Sequence, residues 1–227
     1  GGVYRSTDSG ENWEEVLSDL AALALAISPD FANDQTAWTA VANYSTHLGI
    51  YQSPDGGSTW NPLAPNIHAQ SIVPSPNFAI DHALFAGTAD TGLQRSQDGG
   101  MTWMPLATPP MITALAISPT YGASQTLLIG AQVDSSTPGT ILRSTDGGAS
   151  WAELTIGIPT SQTGHNLIIA DLRFAADGSL LAGVHYGGAD GTVYRSVDGG
   201  GTWTAVASNL SDTQPFDLLS LPGGSFT

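Results

Sequence analysis

The sequence predicts an all-β fold assembled from repeated four-stranded units, and three observations carry that prediction. The nonapeptide RSTDGGASW at 143 has near-copies RSTDSGENW at 5, QSPDGGSTW at 52, RSQDGGMTW at 95 and RSVDGGGTW at 195. Its aspartates, Asp8, Asp55, Asp98, Asp146 and Asp198, stand 47, 43, 48 and 52 residues apart, a period that holds four short strands and their turns. Between the copies lie short apolar runs rich in Ile, Leu, Val and aromatics and bounded by Gly, Pro, Asn and Asp, which read as strands; no segment reads as a convincing helix.

A second element recurs in phase with the first: AISPDFANDQTAWTAV from 26, VPSPNFAIDHALFAGT from 73 and AISPTYGASQTLLIGA from 116. Each copy is a strand, a turn opened by Ser-Pro and another strand. One unit then has strand A from Thr113 to Ser118, B from Thr126 to Gln132, C from Thr140 to Ser144 and D from Trp151 to Thr155, with the nonapeptide as the C-to-D hairpin. In the last full copy the A-to-B turn shortens to Ala176-Asp177-Gly178-Ser179, where Asp-Gly between apolar strands is a strong hairpin signal.

The chain opens with strands C and D, Gly2 to Leu17, and finishes with a strand A, Phe216 to Leu221, and the start of a B. The expectation is a single domain, 1–227: a five-bladed β-propeller of four-stranded antiparallel blades. Its blades are 19–64, 65–107, 108–156 and 157–214, with a fifth shared by 1–18 and 215–227 that closes the ring and leaves no sheet edge open. The alternative is a fragment of a six- to eight-bladed propeller.

Composition narrows function. Among 227 residues, 20 are acidic and five basic, all of the latter arginine, so the formal net charge is −15. Such a surface repels nucleic acid and anionic lipid, so neither is expected as a partner. No apolar run reaches the length of a membrane span; Leu20 to Ile27 is too short. The chain has no cysteine, which excludes disulfides and thiolate metal sites. Sparse charge with abundant Gly, Ser, Thr, Asn and Pro suits an extracellular or cell-surface β protein; no signal peptide is present in the sequence, which opens within a motif at Gly1-Gly2-Val3-Tyr4.

The nonapeptide has its own physics. Its serine and aspartate can accept hydrogen bonds from nearby backbone N–H groups, and its glycines supply positive φ. The closing tryptophan is expected to plug the core. The structural set is therefore Ser6, Asp8, Gly10 and Trp13; Ser53, Asp55, Gly57 and Trp60; Ser96, Asp98, Gly100 and Trp103; Ser144, Asp146, Gly148 and Trp151; and Ser196, Asp198, Gly200 and Trp203. One carboxylate per turn falls short of the oxygen count calcium needs, so no metal and no cofactor is expected.

The pattern Ser-x-Asp-x-Gly-x-x-Trp, five times at blade spacing, resembles the Asp-box (BNR) repeat of β-propellers, including sialidases, xyloglucanases, sortilin-type receptor ectodomains and photosystem II assembly factor-like proteins. The likeness covers essentially the whole chain. It implies a propeller whose boxes lie at the blade periphery, away from the ligand face, in enzymes and non-enzymes alike. A sialidase further implies three arginines clamping a carboxylate. Here Arg5, Arg95, Arg143 and Arg195 all precede a box at equivalent positions, which leaves only Arg173. A xyloglucanase implies two carboxylates across a cleft between two larger propellers.

The B-to-C loops (NYSTHLG from 43, ADTG from 89, VDSSTPG from 133, HYGGADG from 185) and the D-to-A loops (APNIHAQ from 64, GIPTSQTGHN from 157) share the opposite rim and do not repeat one another. Variable loops on a regular scaffold form a binding face. The candidate ligand-binding residues are Tyr44, His47, Asp134, His165, Asn166, His185, Tyr186 and Asp190, flat rings and polar groups suited to sugars or a peptide edge. Trp38 lies in strand B and reads as core. The five histidines never stand at ligand spacing, and no nucleophile elbow or phosphate loop occurs. The expected role is non-catalytic binding or scaffolding for a glycan or partner protein; the alternatives are a glycoside hydrolase or a fragment of one, and a structural subunit of a larger assembly.

Overall fold

The computed structural model describes residues 1–42, 47–154, 157–162, 164–186 and 191–210. Two compact units, Gly1–Pro105 and Leu106–Thr227, divide the chain. In the first, β1 (Val3–Arg5) and β2 (Glu14–Leu17) form an antiparallel pair. One four-stranded sheet follows from β3 (Ala21–Ile27), β4 (Ala37–Ala42), β5 (His47–Ser53) and β6 (Asn61–Ala64), and another from β7 (Ala69–Pro74), β8 (Leu84–Thr88), β9 (Leu93–Ser96) and β10 (Met104–Pro105). The second unit has a sheet of β11 (Met111–Ile117), β12 (Leu127–Gln132), β13 (Thr140–Ser144) and β14 (Ala152–Glu153). A small hairpin of β15 (Ser161–Gln162) and β16 (His165–Asn166) leads to the sheet of β17 (Ile168–Phe174), β18 (Leu180–His185), β19 (Gly191–Ser196) and β20 (Thr204–Leu210). Each four-stranded sheet is an antiparallel meander, the blade of a β-propeller. The expected closing segment, 215–227, lies outside the described residues.

The second strand of each blade carries the core. Every residue of β4, β8 and β12 is buried, so these strands read as near-continuous apolar runs. Trp38 on β4 is fully buried, as its position implied. In the first unit it packs with Ile50, Ile72, Phe78 and Leu84; in the second, Leu128, Leu167, Ile169, Leu172 and Val184 fill the space between the two blades. The first strand carries a bulge at one equivalent place in all four blades, between Ala22 and Ala24, Ala69 and Ser71, Ile112 and Ala114, and Ile169 and Asp171. A bulge raises local twist, so its repetition gives every blade the same curvature.

Three one-turn helices depart from the sequence expectation of turns alone: α1 (Phe31–Asp34), α2 (Phe78–Asp81) and α3 (Tyr121–Ser124). Each occupies the Ser-Pro connection between the first two strands, and four residues are too few to leave a helical period. Local hydrogen bonds fold them. Ser28 Oγ donates to Asp34 at 2.6 Å and accepts from the Asp30 N–H, and Asp34 also accepts the Thr36 N–H at 2.8 Å. Ser75 and Asp81 repeat the arrangement. Each helix ends on a left-handed residue, Gln35, His82 or Gln125. The carbonyls of those residues accept N–H bonds from Gly56, Gly99 and Gly147, which ties each helix to the nonapeptide turn of its own blade.

All five turns share one geometry. The serine hydroxyl donates to the aspartate Oδ1 at 2.7 to 2.8 Å and accepts the N–H of the second glycine at 2.8 Å. The residue before the tryptophan donates twice to the aspartate: its N–H to Oδ1 at 2.9 Å and its side chain to Oδ2. Two consecutive residues take positive φ, 64° and 90° at Ser9 and Gly10 and 72° and 95° at Gly147 and Gly148. The second glycine also leaves room for a neighbour: a Cβ on Gly100, Gly148 or Gly200 would stand 2.5, 2.5 or 2.4 Å from Leu63, Leu106 or Leu154. Each of those leucines lies three residues after a turn tryptophan and sits as a knob against the second glycine of the following turn.

The tryptophans correct the expectation of five core plugs. Trp203 is 4 % exposed and donates its indole N–H to the Leu154 carbonyl, but Trp13 is 63 % exposed and bonds only its own turn, at Gly10. Trp60, Trp103 and Trp151 are half-buried. An indole laid across a hairpin is covered only as far as the adjacent blade reaches it, a fact absent from the turn itself.

Urea unfolding should separate these cases. Trp203→Ala is expected to cost about 3–5 kcal/mol, and Trp13→Ala less than about 1 kcal/mol. Gly148→Ala should cost more than Gly178→Ala by about 1–3 kcal/mol, because both positions have positive φ but only the former would meet a neighbour.

Candidate functional site

The rim opposite the nonapeptide turns is best defined in the second unit, where three segments converge: the β12–β13 loop, the β15–β16 hairpin and the end of β18. The β12–β13 loop is built on Asp134, whose Oδ1 accepts the Ser136 N–H at 2.8 Å and the Ser136 hydroxyl at 2.6 Å, while Thr137 closes back on the Asp134 carbonyl. These bonds, the Ser136 hydroxyl first, hold the Asp134 carboxyl below its ordinary pKa. The loop is then stitched to the next blade: Gln132 Nε2 donates to the Thr137 carbonyl at 2.8 Å, the Gly139 N–H donates to the Leu167 carbonyl at 2.7 Å, and Asn166 Nδ2 donates to the Ser136 carbonyl.

His165 is exposed on β16, paired with Gln162, and Asn166 beside it is half-buried. His185 ends β18 opposite Ile168; its partial burial lowers the imidazole pKa. Asp134, His165, Asn166 and His185 therefore lie on one rim, with Asn166 joined directly to the Asp134 loop.

Tyr186 departs from the expectation of a ligand platform. The ring is fully buried in the core with Ile158 and Trp203, and its hydroxyl donates to the Pro159 carbonyl at 2.8 Å. Burial pushes the phenol well above its ordinary pKa. Its role is to anchor the 157–160 segment, because a buried phenol needs one partner and Pro159 supplies it. Tyr44 and Asp190 lie outside the described residues; His47 begins β5, and its side chain lies outside them too.

Sequence reasoning passed over two of the following features and, for the third, expected the repeat arginines to partner nearby acidic side chains or carbonyls without foreseeing their reach into the following blade. His68 and Asp90 pair at 3.4 Å across the corresponding loops of the β7–β10 blade, joining two segments that carry no shared motif. Gln132 bridges two loops from inside a strand. The repeat arginines reach forward: Arg5 donates to Ser58 Oγ at 2.7 Å and Arg143 to the Gly199 carbonyl at 2.8 Å, each in the turn of the following blade. Arg195 instead pairs with Asp177, and Arg173 with Asp171 at 3.0 Å. These contacts tie Arg5, Arg143, Arg173 and Arg195 to the scaffold.

Among the described residues the turn aspartates are the most perturbed acids. Hydrogen bonds hold Asp8, Asp55, Asp98 and Asp146 at about 2, led by the Asn12 and Thr59 N–H groups for the first two and by the Thr102 and Ser150 hydroxyls for the others. Asp198 is shifted in the same direction, chiefly by the Thr202 N–H. Among the described residues no group of three or more His, Cys, Asp or Glu side chains could hold a metal ion, and no helix is long and apolar enough to cross a membrane. The site offers imidazole, amide and carboxylate groups for hydrogen bonding.

The fold places the chain among the β-propellers. No sequence-family model matches it, and no curated protein matches it in sequence. Solved structures do. A GH74 enzyme from Niastella koreensis aligns over 90 % of this chain and 34 % of its own with a TM-score of 0.71 and 23 % identity. The GH74 xyloglucanase from Xanthomonas campestris aligns over 91 % and 42 % with a TM-score of 0.59 and 18 % identity. YCF48 bound to D1 peptide aligns over 88 % and 60 % with a TM-score of 0.56 and 19 % identity. The chain thus spans from about a third to three fifths of the length of these proteins.

A pH titration of stability tests the turn electrostatics. The folded-state pKa of Asp55 or Asp146 lies below the ordinary carboxylate value, so its contribution is complete above about pH 4 and is lost as pH falls towards 2. Unfolding followed from pH 5 to 2 should show this loss in the native chain and less of it in Asp55→Asn or Asp146→Asn.

Proposed function

We propose that this chain is an Asp-box propeller acting as a non-catalytic binding and scaffolding module at the cell exterior or surface. Its ligand is a glycan or partner protein held on the rim that carries Asp134, His165, Asn166 and His185. One observation carries this reading: the repeated turns consume their own polar groups, whereas the opposite rim presents non-repeating polar loops fixed to a rigid scaffold. The rim acid Asp134 is held below its ordinary pKa by the Ser136 hydroxyl and N–H, as an ionised carboxylate.

Glycan or peptide fits such a rim for the same reason: both are read by hydrogen-bonding groups beside flat rings. The neighbours in fold include two GH74 enzymes, one of them a xyloglucanase, and YCF48 with a peptide bound. That likeness also supports the second reading, a fragment of a glycoside hydrolase, since the chain spans only part of those enzymes' length.

A glycan array and a peptide array, with sugar release measured in parallel, decide between them. Binding without release, weakened at least about tenfold by His185→Ala or Asp134→Asn with unchanged unfolding midpoint, is the expected outcome. Sugar release abolished by a single rim Asp→Asn change would establish the hydrolase instead.

A further inference from the structure

In three blades the connection between the first two strands inserts an aromatic residue at the start of its helix: Phe31, Phe78 and Tyr121. The best-seen case is Phe78, buried edge-on against Trp38 of the preceding blade with ring centroids 4.8 Å apart. The ring fills the seam between two blades. Trp38 pairs across the ladder with Gln52, and the equivalent pair in the β11–β14 blade is Leu128 with Arg143.

The β17–β20 blade has no such plug. Its connection is the tight turn Ala175–Ser179, closed by the Ala175 N–H to the Ser179 carbonyl at 2.8 Å, with neither helix nor aromatic residue. The seam that it faces has also lost volume on its other wall, where leucine stands for tryptophan. A cleft of about 490 Å³ results, lined by Leu128, Phe174, Ala175 and Leu180 with Thr126 and Arg143. That size lies within the range of small-molecule sites.

Arg143 sets its charge preference. One amino group is held by the Gly199 carbonyl, while its Nε is buried and has no hydrogen-bond partner, and none of the described carboxylates pairs with it. Arg5, Arg173 and Arg195 each have an acidic partner. A guanidinium that lines a cleft and has no carboxylate paired to it favours an anionic ligand there.

We infer that this interblade cleft is a binding site for a small aryl carboxylate, whose ring occupies the place of the missing aromatic plug and whose carboxylate meets Arg143. The chemistry is a ring joined by a short linker to an anion, found in a free arylalkyl acid and at the end of a peptide closing in phenylalanine; the free acid is the ligand that a cleft of about 490 Å³ between two blades holds whole.

Titration of the whole chain with 3-phenylpropionate, followed by methyl NMR, tests it. Saturable shifts of the Leu128 and Ala175 methyls are expected, at least about tenfold weaker for neutral 3-phenylpropanol or for Arg143→Gln, the residue found at position 52. Leu128→Trp, which restores the wall that Trp38 provides, should abolish binding with the unfolding temperature unchanged or raised. An acetylated tripeptide ending in phenylalanine that bound more tightly than the free acid would overturn the free acid as ligand and assign the cleft to chain ends. Absence of saturable shifts up to about 10 mM, or binding indifferent to the charge and to Arg143→Gln, would overturn the site itself.

Discussion

The whole architecture hangs on one carboxylate per blade. The turn aspartate takes a hydroxyl from the serine before it and two bonds from the residue four positions on, and so fixes a hairpin whose two central residues both need positive φ. Its cost in backbone strain is met locally, because glycine fills the second position in all five copies and the first in four. Everything beyond the turn is placed by it: the third strand enters along one arm, the fourth leaves along the other, and the one-turn helix is tied to its first glycine.

The same turn couples one blade to the next. Its second glycine is the socket for Leu63, Leu106 or Leu154, and its outer surface receives Arg5 or Arg143 from the blade before. Local and interblade demands therefore converge on one residue type, and glycine at 100, 148 and 200 answers both. The rim at the other end is free of this obligation, which is why its loops differ in length and chemistry while the turns do not.

Much of this was legible in the sequence, and the limits are physical. The nonapeptide named its own hydrogen bonds, and the apolar runs gave the strands, because both depend on neighbours within a few residues. The polar residue before each tryptophan and the apolar residue three after it (Val16, Leu63, Leu106, Leu154, Val206) recur as plainly and were the readable sign of the second carboxylate bond and of the knob. The short helices left no period to find. Burial of Tyr186 and exposure of Trp13 were out of reach, since one is decided by Pro159, 27 residues distant, and the other by how far a neighbouring blade extends. Of the rim candidates, the link from Asn166 to Ser136 joins residues 30 apart and has no signature in either segment.

The turns close over a span of four residues, whereas the knobs join blades more than 30 residues apart, and this difference in range has a kinetic meaning. Hairpins of such short loop length form in microseconds and can nucleate in any repeat without waiting for the rest of the chain. Docking each leucine into the next socket then adds nearest-neighbour coupling, so within each compact unit folding propagates from blade to blade as in a one-dimensional lattice. Weakening one socket would lower the cooperativity of that lattice before it lowered the strand content, and unfolding would lose its single transition while the individual hairpins persisted.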